Sequence, residues 1–150
     1  RDQYAALSYS PYQWAHNVEP PPWQSLQKPL KECRVGLVCS GGIYELGQIA
    51  FHHKDDNSLR LISSNVEIQR LRTSHFAYDQ TAARKDINAV FPLQPLQRAL
   101  ARGRIGALAS QALTFMGGIY SQRKVIEQLA PAIAQHLIAD EVDVAVMVPV

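Results

Sequence analysis

The chain reads as an α/β protein: a largely parallel sheet with flanking helices in three layers, preceded by an extended arm rich in proline and aromatic residues. Three observations predict this. The β-branched, apolar run Arg34–Cys39 stops at Ser40-Gly41-Gly42, as a buried strand does when it turns at a sheet edge. From Ser121 onward Val125, Leu129, Ile133 and Leu137 recur every four residues, the spacing of one helix face. An almost wholly apolar run, residues 143–150 (DVAVMVPV), then follows. Strand, helix, apolar strand is the pattern of a parallel sheet covered on both faces.

At 150 residues the chain is the size of one domain and can bury a core without disulfide or metal staples. Hydrophobic residues make up 47% and charged residues 19%, which excludes a disordered or fibrous class. The formal charge of +2, from 15 basic against 13 acidic residues, is too balanced for the clustered basic face of a nucleic-acid partner. No apolar run approaches the ~20 residues of a membrane span. The opening Arg1-Asp2-Gln3 lacks the profile of a signal peptide, so a cytoplasmic protein is expected.

Residues 1–30 form the expected arm and residues 31–150 the α/β domain. The arm holds five of the nine prolines, including Pro20-Pro21-Pro22, and both tryptophans, Trp14 and Trp23. Proline at this density removes helix and ladder donors. Tyr4, Tyr9, Tyr12, Trp14 and Trp23 are costly to leave in water, so the arm is expected to pack on its own domain or on a partner subunit. Cys33 and Cys39 bracket the first strand. Six residues of strand at ~3.3 Å each hold them ~20 Å apart, too far for a disulfide, and reduced, buried thiols are expected. Residues 43–57, with His52 and His53, read as a polar surface loop. Residues 59–62 suggest a minor strand and residues 87–91 another apolar run, closed by Pro92. Residues 95–102 read as a short helix, with Pro95 in its first turn and Gly103 at its stop. In the long late helix Ile126 and Ile138 widen the apolar stripe, and Pro131 predicts a kink or two abutting helices. The closing strand, residues 143–150, is expected to be fully buried.

Several groups are candidates for chemistry. Ser40-Gly41-Gly42 lies where a sheet edge can offer backbone N–H groups to an anion, but it lacks the spacing of a dinucleotide fingerprint or a P-loop. A plain turn is favoured. His52-His53 reads as a solvated pair, since neighbours on an extended chain point apart, and His16 and His136 are isolated. No metal site or cofactor is expected. The dense segment is residues 73–88, with Thr73, Ser74, His75, Tyr78, Asp79, Arg84, Lys85, Asp86 and Asn88. Such a cluster can hold a carboxylate substrate and shuttle a proton. It can equally cap helices, with Asp79 suited to cap a helix over residues 80–85.

The run SHFAYDQTAARKDINAVFP, residues 74–92, resembles the family of glycine/sarcosine/betaine reductase component B and D-proline reductase proteins, which carry a similar H-x-x-Y-D … A-x-x-D-x-N-x-V-F-P pattern. Trp23 to Leu30 with the strand and Gly-Gly turn, the segment from Leu96 to Gly106, Phe115-Met116-Gly117 and residues 142–150 are similar to further family segments, so the resemblance covers roughly residues 20–150. It implies a selenol- or thiol-dependent reductase that cleaves a carbon–heteroatom bond of an amino-acid-type substrate such as glycine, betaine or D-proline, with electrons supplied by dithiols. It maps His75, Tyr78, Asp79, Asp86 and Asn88 as the matching polar positions and does not assign their individual roles. The expected catalytic residues are His75, Tyr78 and Asp79, and Arg84, Asp86, Asn88, Ser40, Gly41 and Gly42 are expected to bind substrate. His75 or Asp79 is expected to handle protons, and Arg84 or Lys85 to pair with a substrate carboxylate. The partners implied are the small-molecule substrate and either a second copy or a partner reductase subunit, with no nucleic acid and no membrane. A non-catalytic substrate-binding or scaffolding subunit is the alternative, and nucleotide binding at Ser40-Gly41-Gly42 a third.

In that family the strand ending Pro-Val runs directly into a selenocysteine or cysteine nucleophile, whereas Val150 is the last residue here. Selenocysteine is encoded by UGA, otherwise a stop codon. The expected outcome of sequencing the genomic locus is therefore UGA as codon 151, followed by an open frame with a nearby cysteine codon. A UAA or UAG codon, or a sense codon other than cysteine, contradicts the expectation.

Overall fold

The structure, a computed structural model, describes residues 6–8 and 16–150. Seven strands follow in order: β1 (Arg34–Cys39), β2 (Ile43–Glu45), β3 (Arg60–Ser63), β4 (Leu71–Thr73), β5 (Ala107–Leu108), β6 (Gln111–Thr114) and β7 (Val144–Val148). The helices are α1 (Thr81–Lys85), α2 (Leu93–Ala101), α3 (Gln122–Lys124) and α4 (Ala130–Ala139), with short 3-10 turns at Leu30–Glu32, Ile68–Arg70 and Ile87–Ala89. The content is mixed α/β and the main sheet is mostly parallel.

β1 is its centre. β7 runs parallel along one edge, pairing Val35 with Val144 through Cys39 with Val148. β5 and β6 run parallel to β1 at its two ends, beside Arg34 and Cys39, and β3 closes the sheet antiparallel to β6. Alternation along β1 sends successive side chains to opposite faces. Leu37 and Cys39 join a core with Phe91, Leu93 and Ile62, while Val38 joins Leu113, Leu129 and Ile133. Each fully buried side chain of this size contributes about 1.5–3 kcal/mol. Gly36 has a packing reason, because a Cβ there would lie 2.9 Å from Leu137 and 3.1 Å from Val142. The two cysteines are free and buried at the two ends of β1.

The late helix begins at Ser121, whose hydroxyl accepts from Lys124 N at 3.3 Å. It runs without a break to Ala139, but residues Val125–Leu129 form a π turn. Pro131 lies in the first turn of α4. Having no N–H, it cannot complete the i→i−4 ladder, and a wider turn just before it carries the helix past the missing donor. Leu129 and Ile133 are buried as the spacing predicted, but Ile126 and Ile138 are 69% and 75% exposed. The wider turn rotates the face, so those two do not widen the stripe. α2 matches its predicted span within two residues, with Gly103 at φ 63° just past its end.

Two further expectations are corrected. β7 is not fully buried: Val144, Val146 and Val148 are half-buried and Ala145 and Met147 exposed. It pairs with β1 alone among the described residues. The apolar run at residues 87–91 forms a 3-10 turn and its exit, because the Asp86 carboxylate accepts from Asn88 N and winds the chain there. The minor strand predicted at residues 59–62 exists as β3. In the arm, Trp23 is 88% exposed, so it does not pack on this domain. The chain there is held by Lys28, whose ammonium meets Asp143 at 2.8 Å. Tyr4, Tyr9, Tyr12 and Trp14 lie outside the described residues.

The backbone at Gly42 is the sharpest constraint. Its φ is 67°, and a Cβ there would sit 2.1 Å from the Ser74 carbonyl oxygen. Gly47 also has a positive φ, 102°, but meets nothing within 4 Å. Gly47→Ala is therefore expected to cost about 1–2 kcal/mol and Gly42→Ala at least about 3 kcal/mol, compared by urea denaturation. Equal losses would contradict this account of the turn.

Candidate functional site

At the carboxyl end of β1 the chain turns through Ser40, Gly41 and Gly42, and four segments converge there. β7 arrives from one side: Ser40 N donates to the Val148 carbonyl at 3.1 Å, and Val150 N donates to Ser40 Oγ at 2.9 Å. The exit from β6 arrives from the other, where Gly42 N donates to the Phe115 carbonyl at 2.9 Å and Gly117 N to the Ser40 carbonyl at 2.9 Å. The antiparallel pair β2–β4 brings in the third segment, with Ile43 opposite Thr73. Ser74 N extends that ladder to the Gly42 carbonyl at 2.9 Å. Two of the three N–H groups of the turn are thus committed to the fold, which leaves no anion cradle of the kind a phosphate loop needs.

The fourth segment is the loop from Ser74 to Gln80. Tyr78 Oη donates to the Gly41 carbonyl at 3.0 Å, and Thr73 Oγ1 donates to the same oxygen at 3.1 Å. The two hydroxyls lie 3.0 Å apart. The phenol proton of Tyr78 therefore points at a backbone carbonyl and fixes the turn. The His75 ring stands beside it, 4.6 Å between centroids, and His75 is only 3% exposed. Ala77 N donates to His75 Nδ1 at 3.0 Å. A backbone N–H can only donate, so Nδ1 is the acceptor and the proton of the neutral ring sits on Nε2. That Nε2 is buried without a hydrogen-bond partner. In this tautomer the ring is a donor, not a base at Nε2.

Gln80 completes the loop. Its side-chain amide nitrogen donates to the His75 carbonyl, which leaves its Oε1 buried and unpartnered. An unpaired buried polar group costs about 1–3 kcal/mol, and the loop carries two. Above it the Ser74 hydroxyl donates to the Phe51 carbonyl at 3.2 Å, and Phe76 meets the His53 ring edge-on at 5.6 Å.

Asp79 points elsewhere. Its carboxylate accepts from Thr81 N at 2.9 Å and Thr81 Oγ1 at 2.6 Å just ahead of α1; the N-cap of that helix is Gln80, one residue later than predicted. These bonds hold its pKa below the ordinary carboxylate value. Asp86 is also held down, by the Asn88 side chain and backbone, and Asn88 continues to Gln94 at 2.8 Å. Arg84, Asp86 and Asn88 line an outer groove of about 370 Å³ with Arg72, Thr73 and Lys85. The structure thus divides the predicted constellation. Ser40, Gly41, Gly42, His75 and Tyr78 come together at the turn. Arg84, Asp86 and Asn88 lie along the neighbouring groove, which Thr73 also lines, and Asp79 is bonded to Thr81 at the start of α1. Gln80 was not among the sequence candidates, and Thr73 was named only as a member of the dense segment, since their bonds to His75 and Gly41 are not visible in the spacing.

An apolar notch of about 270 Å³ lies beside Ser40, lined by Val38, Phe115, Met147, Val148 and Pro149. A larger depression, about 830 Å³, lies at the opposite end of β1. Its two cations, Lys28 and Arg34, are paired with Asp143 and Asp140. Neither thiol lies ready for attack: burial pushes the Cys39 pKa up to about 12, and Cys33 is fully buried. His52 and His53 are exposed, their rings in contact and tilted by 36°, 4.3 Å between centroids.

The sequence profile of the glycine/sarcosine/betaine reductase selenoprotein B family matches residues 12–150. D-proline reductase subunit gamma of Acetoanaerobium sticklandii is 34% identical over 131 residues, 87% of this chain and 54% of that protein. The chain thus spans about half the length of that curated relative. No solved structure matches it.

Burial holds the His75 pKa below its ordinary 6.5, which gives a signed expectation. As pH falls below about 6.5 the unfolded chain takes up a proton that the folded ring refuses, so this group withdraws stability until pH reaches the folded pKa. Nitrogen-detected NMR at pH 6.5 is expected to show His75 mostly neutral, with its proton on Nε2. An imidazolium signal there would contradict the assignment.

Proposed function

This chain belongs to the glycine/sarcosine/betaine reductase selenoprotein B family, and from that premise we propose that it carries the substrate side of a reductive active site. The reaction is cleavage of a carbon–nitrogen bond in an amino-acid-type substrate by a selenol or thiol that follows Val150. The observation that supports this most is the junction at Ser40: the end of β7 is hydrogen-bonded to the turn that Tyr78 and Thr73 hold, at the carboxyl ends of parallel strands, where α/β folds place ligands. A nucleophile one residue further on stands next to that junction.

The step balances as a two-electron reduction. The carbon–nitrogen bond breaks, the carbon gains two electrons and a proton, and the nitrogen gains a proton. Two chalcogen–hydrogen groups become one chalcogen–chalcogen bond, which an external dithiol reduces again. In this reading Tyr78 and Thr73 are positioning residues that hold the Gly41 carbonyl. His75, as a neutral N–H donor, faces the substrate, and Arg72, Arg84 and Lys85 in the outer groove attract its carboxylate. Asp79 acts through α1 rather than as a proton carrier. Helices on both faces in three layers, with residues 1–30 as an arm on a partner reductase subunit, form part of the same proposal, as does a separate domain over residues 31–150.

The state of this chain's own thiols favours the second reading, a non-catalytic substrate-binding or scaffolding subunit. Cys39 is sealed, with its pKa raised to about 12, and Cys33 is sealed as well. The deciding experiment is turnover of the full reading frame, assembled with its partner subunits, with dithiothreitol and each of glycine, sarcosine, betaine and D-proline. Dithiol-dependent carbon–nitrogen cleavage of one of them is expected, with Tyr78→Phe lowering kcat/KM about tenfold through loss of one buried hydrogen bond. An assembled complex that turns over none of them supports the scaffolding reading instead.

A further inference from the structure

We infer that the apolar face shared by β7 and the late helix is the seat of a second crossover helix, which follows Val150 in the full-length chain and leads to a further parallel strand on the free edge of β7. This rests on the reading proposed above, in which the chain runs on past Val150, and goes beyond it by assigning what that continuation covers.

Two rows of exposed apolar side chains meet along this face. The first is on β7. Val146 and Val148 pack on the core that holds Phe91 and Leu93, so alternation turns Ala145 and Met147 to the opposite face. There Met147 is in register with Val38 and Ala145 with Gly36. Val38 packs on Leu129 and Ile133, and Leu137 closes on Gly36. The late helix therefore lies over β1 and stops short of β7, where Ala145 and Met147 stay exposed. The notch beside Ser40, between Val38, Phe115 and Met147, is the end of this step nearest the turn.

The second row is on the helix. Ile126, Ala130, Ala134 and Ile138 follow at four-residue spacing and are all exposed. They do not face β6 and β3. That flank belongs to Lys124 and Gln128, which reach Asp55 and Asn57, and to His136, beside Gln111 and Leu113. The exposed row lies on the other flank of the buried Leu129–Ile133 line, toward β7. Of the ten residues of α4 only Gln135 and His136 are polar, and a helix apolar on more than one side is one that is covered on more than one side.

Topology names the occupant. β7 runs beside β1 from Val35 to Cys39, and β5 and β6 meet β1 from its other side, all parallel to it. The helix between β6 and β7 crosses on the face just described. Such crossovers are right-handed in about 98% of cases. A further crossover from β7 to a strand beyond it moves in the same direction across the sheet. The same handedness then puts its helix on the same face, over Met147 and against the row from Ile126 to Ile138. The strand finds its pairing groups on β7, which pairs with β1 alone among the described residues. The matched relative, of which this chain spans 54%, has the length for such a unit, ~30 residues or more. Packing on this face thereby fastens the connection that carries the proposed nucleophile.

The test uses the full reading frame, with serine in place of the proposed nucleophile and a diazirine analogue of methionine at Met147. After irradiation of a mixture of nitrogen-14 and nitrogen-15 copies, peptide mass spectrometry locates the adduct. The dominant adduct is expected within one polypeptide, in the ~40 residues after Val150. In the same frame with its native methionines, Met147 is expected to be oxidised by hydrogen peroxide at least about tenfold more slowly than in urea, at every dilution, as the fully buried Met116 is. An adduct on residues 1–30, on a second copy or on solvent alone overturns the inference, as does a smaller protection of Met147 or one lost on dilution. Each of these leaves the reductase reading to the turnover assay. A frame that closes at Val150 overturns both.

Discussion

The Ser74 carbonyl fills the space that a side chain on residue 42 would need, and the site is built around that contact. Only a residue without a Cβ lets β1 turn so tightly that β2 doubles back beside β4. The turn then reads as a junction. Ser40 ties to β7, Gly42 to the exit from β6, and Gly41 to Tyr78 and Thr73. Each tie uses a backbone group that would otherwise be buried unpaired, so the geometry of the junction and the satisfaction of its polar groups are one requirement.

The same economy distinguishes the residues that stabilise from those that remain available. Tyr78, Thr73, Asp79, Asp86 and Asn88 all spend their polar atoms on the fold. Thr114, fully buried, gives its hydroxyl to Ile43 N at 3.1 Å. Against that background two atoms stand apart, His75 Nε2 and Gln80 Oε1.

Much of the fold was legible because its signals are local. β1 declared itself by a β-branched run closed by glycines, α2 by Pro95 and Gly103, and the late helix by Ser121 and a four-residue repeat. The residues 74–92 carried the family. What misled was context. Residues 143–150 are as apolar as a central strand, yet Met147 is 64% exposed, since apolar composition reports the capacity to be buried and not the number of neighbours. Ile126 and Ile138 fit the helical stripe until a π turn before Pro131 shifted the register.

By itself the sequence determined β1, β3, the two longer helices, the buried and separate cysteines and the family, because each follows from short-range spacing or residue chemistry. Residues 43–57 read as a polar loop, yet Ile43–Glu45 is a strand with Ile43 buried. Only the tertiary structure decided which polar residues meet. Nothing in the spacing of residues 73–88 separates Tyr78, bonded to a carbonyl 37 positions earlier, from Asp86, bonded to Asn88 two positions later. Hydrogen-bond partners across a sheet edge are set by strand order and by the fixed backbone of Gly42, and these are properties of the assembled chain.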